Sequence, residues 1–291
     1  GILLFVSGIA LFSMLNGVVK AQAELFPINE IVFFRNAFAL IPIMLMLQAS
    51  GTVAQLRTPR LRSHIALSAT FMATLFLLFN AYSLMPLADA TAIAFTQPLI
   101  VTVLSVPFAK EKVRPVEWAA VGVGFAGVML VAQPSGEGAA LGAMLALTGS
   151  ATGAVTMLLQ RRMSAVESTH VITFYTLGLS ALVLLPTLPF SWSSPTPLQL
   201  AGLIAMGLAS GFCQYLTVRA FYHAPASTLA PVTYTKMLWA VVIGFVWFGD
   251  VPTLAVLSGA AVVIVATLLV MRRERPKAHA ASLEPAGDRR D

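Results

Sequence analysis

The sequence predicts an all-α membrane protein of ten transmembrane helices, arranged as two inverted-topology repeats of five. Three observations predict it. Hydrophobic residues make up 58% of the chain and charged residues only 10%, against about 25% charged in a soluble domain. That is too little charge to cover a water-facing globule, so the lipid bilayer is the expected solvent. Ten apolar runs reach the length of about 20 residues that a helix needs to cross hydrocarbon. Lysine and arginine gather in alternate connections between those runs.

The predicted spans are residues 2–20, 28–48, 64–84, 86–108, 116–133, 139–160, 169–189, 198–219, 225–248 and 252–271. Clusters such as Gln133-Pro134-Ser135-Gly136 and Ser193-Ser194-Pro195 separate them, and Met85-Pro86 divides the third from the fourth with almost no loop. Barrel strands would be about ten residues long and alternate in polarity; these runs are longer and apolar on all sides. The first run is already under way at Gly1, so residues ahead of it are expected. It lacks a signal-peptidase pattern and reads as a retained helix.

The formal net charge of +6 does not point to nucleic acid, because the basic residues sit in short connections. Arg57, Arg60 and Arg62 follow the second span, Lys110, Lys112 and Arg114 the fourth, Arg161 and Arg162 the sixth, Arg219 the eighth, and Arg272, Arg273, Arg275 and Lys277 the tenth. The opposite connections hold little beyond Lys20. This asymmetry predicts a bacterial inner-membrane protein with both termini in the cytoplasm. Cys213, the single cysteine, lies in an apolar run and reads as a packed thiol. Nothing calls for a cofactor, a metal or more than a monomer or weak dimer.

The second half repeats the first. Ala81-Tyr82-Ser83-Leu84-Met85-Pro86 lies over Ala220-Phe221-Tyr222-His223-Ala224-Pro225 at an offset of 139, which also brings Glu111 over Asp250; the front portions match at 140. This divides the chain into residues 1–134, residues 135–272 and a disordered cytoplasmic tail, 273–291. Five is odd, so the second copy must enter the membrane upside down. Inverted repeats are a recurring design of secondary transporters, with the binding site near the midplane.

Met85-Pro86, Gln97-Pro98, Glu111 and the glycine-rich run Gly122-Val123-Gly124-Phe125-Ala126-Gly127 together resemble the drug/metabolite transporter superfamily, in particular its ten-helix EamA-type members. The second copy carries Ala224-Pro225, Lys236 and Asp250, with the glycine run reduced to Ser258-Gly259-Ala260-Ala261. Within that group the chain looks most similar to exporters of aromatic amino acids. The resemblance implies export of aromatic and other neutral amino acids by alternating access, with purines, drugs or other small metabolites as the alternative cargo.

Polar groups at membrane depth are costly and need partners or a watery cavity. Lys236 and Gln97 fall midway along equivalent spans, each near a proline, and are the expected midplane pair. Lys236 would face a substrate carboxylate, and Gln97, Asn80 and Gln214 would supply neutral hydrogen bonds. Phe95 and Trp239 would touch an apolar side chain, with Phe79 and Tyr215 as further aromatic candidates. Ser13, Asn16 and Lys20 form one polar stripe and Thr148, Thr152 and Thr156 the equivalent one, with Asn16 matching Thr156; either could pack against helices or line a cavity. Arg35 is expected to pair with Glu30 or Asp89. The chain has no Walker A loop and no His-Glu-x-x-His, and Phe248-Gly249-Asp250 is not the Gly-x-Gly-Asp of intramembrane proteases, so enzyme activity is not expected.

Overall fold

The computed structural model describes residues 2–49, 51, 53–109, 115–131, 139–223 and 235–265. Among them every regular element is helical. Hydrocarbon offers the backbone no water, so each N–H and C=O must be satisfied within its own segment. The helices are α1 (Ile2–Gln22), α2 (Ile28–Ala49), α3 (Leu61–Leu84), α4 (Leu87–Ala94), α5 (Gln97–Ala109), α6 (Pro115–Val131), α7 (Ala139–Ser164), α8 (Thr169–Leu184), α9 (Leu188–Ser191), α10 (Pro197–His223), α11 (Thr235–Phe248) and α12 (Leu254–Val265).

Seven described segments are long and apolar enough to cross a membrane: Phe5–Gln22, Ile28–Ala49, Leu61–Leu84, Leu87–Pro107, Ala139–Ser164, Thr169–Ser191 and Pro197–Gln214. Ten spans were expected. The other three correspond to α6, at 17 residues, α11, at 14 residues, and α12. The start of the expected ninth span and the end of the tenth lie outside the described residues, as do Glu111, Pro231 and the 273–291 tail.

The expected fourth span is two helices, not one. Pro98 has no N–H to offer the carbonyl of Ala94, and its ring crowds that carbonyl. The helix therefore stops at Ala94, turns through Phe95 and Thr96, and restarts at Gln97. Thr96 covers the break: its N–H bonds Ile93 O at 2.9 Å and its Oγ1 donates to the same oxygen at 2.7 Å.

Five helices form a ring, and a sixth, α7, packs on it through α3. Following contacts around it, α1 packs on α10, α10 on α2, α2 on α8, α8 on α3, and α3 on both α7 and α1. Helices α4 and α5 lie against α7, while α11 lies against α1 and α4. Small residues set the closest approaches, as is common between membrane helices. A Cβ at Gly207 would come within 2.5 Å of Phe38 Cβ and 2.7 Å of Phe34 O; one at Gly211 would meet Ala39 O at 2.6 Å. Helix α10 is therefore pressed onto the backbone of α2. The glycine-rich α6 meets α12 in the same way, with Gly127 against Gly259 O and Val262.

The α2–α10 contact yields a prediction. Gly207→Ala forces the two backbones apart and should cost about 1–3 kcal/mol, the usual range for overpacking. Thermal unfolding in detergent should show a lowered midpoint for Gly207→Ala, and no change for Gly122→Ala, where a Cβ meets nothing within 4 Å.

Candidate functional site: a cation-bearing cavity inside the helix ring

The ring encloses a cavity of about 270 Å³. Helix α1 contributes Phe12, α2 Arg35 and Ala39, and α3 Leu67, Phe71 and Leu75. Helix α7 adds Thr156 and Gln160, α10 adds Ser210 and Gln214, and α8 closes the wall with Ile172, Thr173, Thr176 and Leu177. The lining is apolar with hydroxyl and amide groups and one formal charge, Arg35. Such a wall suits an organic solute held by a few polar contacts.

Phe12 is the centre of the charge arrangement. Arg35 Cζ lies 5.8 Å from its ring centroid and Lys236 Nζ lies 5.1 Å from it. Arg35 also sits 5.6 Å from the ring of Phe79. Cations over aromatic faces gain roughly 0.5–2 kcal/mol, more as water is excluded. The expected pairing of Arg35 with Glu30 or Asp89 is not formed. Glu30 Oε2 accepts the N–H of Ser193 at 3.2 Å instead, and among the described residues Arg35 donates only to Asn36 Oδ1, at 3.4 Å. Depth and spacing explain the difference: Arg35 lies about 10 Å into α2 by helical rise, and at five residues past Glu30 it does not share that residue's helix face.

One end of the ring is fastened by Lys20. Gly249 ends α11 in the left-handed conformation, φ +67°, with its N–H on Phe245 O at 3.1 Å. That turn brings Asp250 to α1, where Lys20 Nζ binds Asp250 Oδ2 at 2.7 Å and lies 4.5 Å from the Phe248 ring centroid. Gly17, one turn before Lys20, allows the approach, since a Cβ there would sit 2.7 Å from Ile243 Cγ2.

The other end carries a second cluster. His64, with no exposed side-chain surface, has Nε2 2.7 Å from Glu167 Oε2, and Arg60 Nη1 lies 3.7 Å from Glu167 Oε1. Thr58 Oγ1 donates to the same carboxylate. The His64 ring stacks on Tyr175 at 4.4 Å, and Tyr175 donates to Leu56 O at 2.5 Å. This ties the α2–α3 connection to the α7–α8 connection. Partial burial pushes the Glu167 carboxyl up, but its bonds from Thr58 and His64 and the nearby positive charges hold it below its ordinary value.

The residues singled out from sequence divide. Thr156 and Gln214 line the cavity, Lys236 reaches it through Phe12, and Phe79 lies under Arg35. Gln97 packs against Gly153, whose Cβ would meet its Cδ at 3.1 Å. Asn80 donates to Phe76 O of its own helix at 2.7 Å. Phe95 is buried at the α4–α5 break, Trp239 packs half-buried on the core, and Asn16 is half-buried on α1. The side chain of Tyr215 lies outside the described residues. The two polar stripes also split: Thr152 accepts a bond from Thr74 at 3.1 Å between α3 and α7, whereas Thr156 faces the cavity.

A multi-pass helical membrane protein with a partly polar cavity between its helices is the architecture of a solute carrier. The EamA-like transporter family matches residues 1–133 and again 140–272, and the chain belongs to that family. It is 29% identical to the pseudopaline exporter of Pseudomonas aeruginosa over 94% of this chain and 97% of that one. It is 26% identical to the S-adenosylmethionine uptake transporter of Rickettsia bellii over 84% of each. It is 27% identical to the riboflavin transporter of Rhizobium johnstonii over 92% and 89%. A solved crystal structure shares the fold with a TM-score of 0.67 at 20% identity, covering 94% of this chain and 98% of the other.

The depressed Glu167 carboxyl gives a pH prediction. Its stabilisation is present above its ordinary value of 4.5 and is lost as pH falls through the lower folded value. The melting midpoint of wild type should exceed that of Glu167→Gln at about pH 5, and the margin should shrink as pH falls further. A margin that grew on acidification below about pH 5 would contradict the assignment.

Proposed function

We propose that the protein is a secondary transporter that exports small carboxylate-bearing solutes, amino acids among them, across the bacterial inner membrane by alternating access. The observation that carries this reading is the cavity itself: Arg35 lines it, Lys236 lies over Phe12 in its wall, and one end of the ring is fastened by Lys20 and Asp250. A half-buried ammonium with no carboxylate partner among the described residues favours a solute that brings one.

The helix contacts support the inverted repeat. With α1, α2 and α3 equivalent to α7, α8 and α10, the pairing of α1 with α10 is matched by that of α7 with α3. The pairing of α2 with α10 is matched by that of α8 with α3. Lys20 corresponds to Gln160 at the offset of 140. Lys20 is bound to Asp250 at one end while Gln160 lines the cavity at the other, which suits a transporter closed on one side. Lys and Arg placement makes the Lys20 end periplasmic and the Glu167 end cytoplasmic. Substrate would enter beside Gln160 and meet Arg35 and Lys236. It would leave when the Lys20–Asp250 pair parts.

A second reading, transport of a larger metabolite, is favoured by the relatives, which are named for pseudopaline, S-adenosylmethionine and riboflavin. A cationic-drug exporter is disfavoured by the positive charge at the site.

Proteoliposomes challenged with amino acids, nucleobases and cationic dyes separate these readings. Carboxylate-bearing solutes should move and cationic dyes should not. Lys236→Met removes one charge-assisted contact at similar volume and should weaken apparent affinity by roughly 10- to 150-fold, from the 1.5–3 kcal/mol such a bond contributes. Unchanged flux in a well-folded Lys236→Met protein contradicts a carboxylate at that lysine.

A further inference from the structure

Arg35 is as unbalanced as Lys236. Its side chain is about nine-tenths buried, with a relative exposure of 7% for the residue. A guanidinium carries five N–H donors. Among the described residues Arg35 makes one hydrogen bond, at 3.4 Å to the neutral Asn36, well beyond the 2.7–2.9 Å of a charge-assisted contact. No carboxylate lies within ion-pairing distance of it or of Lys236 among the described residues, whereas Lys20, His64 and Arg60 all have one. The cavity wall contains no aspartate or glutamate. Its remaining polar groups are neutral, and Ser210 Oγ is buried without a partner.

These charges decide between solute classes. A neutral amino acid brings one carboxylate and one ammonium. It would leave one of the two cations unpaired and place a third cation against a wall with only neutral acceptors. A solute with two carboxylates pairs both. Arg35 presents a planar fork that a carboxylate can meet with two parallel bonds, and Lys236 a point charge that accepts a range of approach angles. Arg35 Cζ and Lys236 Nζ lie 5.8 and 5.1 Å from the same ring centroid, so they are at most about 11 Å apart, the sum of the two distances, and a short carbon chain with a carboxylate at each end can meet both.

We infer that Arg35 is a substrate-binding residue and that the cavity selects solutes carrying two carboxylates, either organic diacids or acidic amino acids. Ser210 and Gln214 then supply neutral hydrogen bonds to the rest of the solute. The inference rests on the reading of this cavity as the transport route. A purely structural Arg35, clamping α1 to α3 through Phe12 and Phe79, would affect stability equally with every solute.

The test is counterflow in proteoliposomes with labelled succinate, L-glutamate and L-leucine, alongside thermal shifts of the detergent-purified protein with the same three. Succinate and glutamate should exchange and stabilise the protein, with leucine weaker by at least about tenfold, the effect of losing one charge-assisted contact. Arg35→Gln should abolish the preference for two carboxylates over one, and Arg35→Lys, which keeps the charge, should retain part of it. Should Arg35→Gln fail to fold, the Arg35→Lys protein and the wild-type ranking still decide. Leucine moving as well as glutamate, or a preference that survives in folded Arg35→Gln, overturns the two-carboxylate assignment while leaving the transport route standing. No flux and no thermal shift with any of the three overturns both.

Discussion

Burying a cation without a counter-ion is the constraint on which this structure turns. Removing an ammonium or guanidinium from water costs several kcal/mol even after the protein relaxes, and hydrocarbon offers no relief. Arg35 and Lys236 meet that cost only in part, through the ring of Phe12. The ring of helices around them is what makes the arrangement tolerable. It holds a mostly apolar space with a few hydroxyl and amide groups beside Arg35, with α10 pressed onto α2 at Gly207 and Gly211.

The contrast with the ends of the ring is informative. Lys20 meets Asp250 directly, and Glu167 gathers His64, Arg60 and Thr58. Lys20 and Glu167 at the ends are matched by charges of the chain itself, and among the described residues Arg35 and Lys236 are not. A protein built only for stability would show the reverse preference, because uncompensated charge is most expensive where water is scarcest. Charges left open beside a cavity are the signature of a site waiting for a ligand, and the family to which the chain belongs is one of transporters.

Much of the fold was legible in the sequence because bilayer thickness imposes a length and hydrocarbon imposes helices. Seven of the expected spans correspond to segments of crossing length. Pro98 announced a local opening, but the sequence did not say that the break would fall at Phe95 and Thr96. That position depends on which carbonyl loses its donor. The site was less legible. Lys236, Thr156 and Gln214 stand out as polar residues in apolar runs. Phe12 does not, since a phenylalanine in a membrane helix carries no signal until its neighbours are known. Arg35 was visible but read as half of an ion pair, because spacing along one helix cannot reveal that Glu30 turns to Ser193. The partnership of His64 with Glu167 joins residues about a hundred positions apart and leaves no trace in local pattern.

The proposed transport requires that the cavity around Phe12 be reached from alternate sides of the membrane. Spin-label distance measurements test it most directly. In a Cys213→Ala background, one pair of labels would sit at Leu25 and Val251, both exposed at the Lys20 end, and another at Leu3 and Ser164, exposed at the opposite end. In liposomes each pair should show two distance populations, and added substrate should shift the pairs in opposite senses, one lengthening as the other shortens. A single distance at both ends, unmoved by any transported solute, would contradict it.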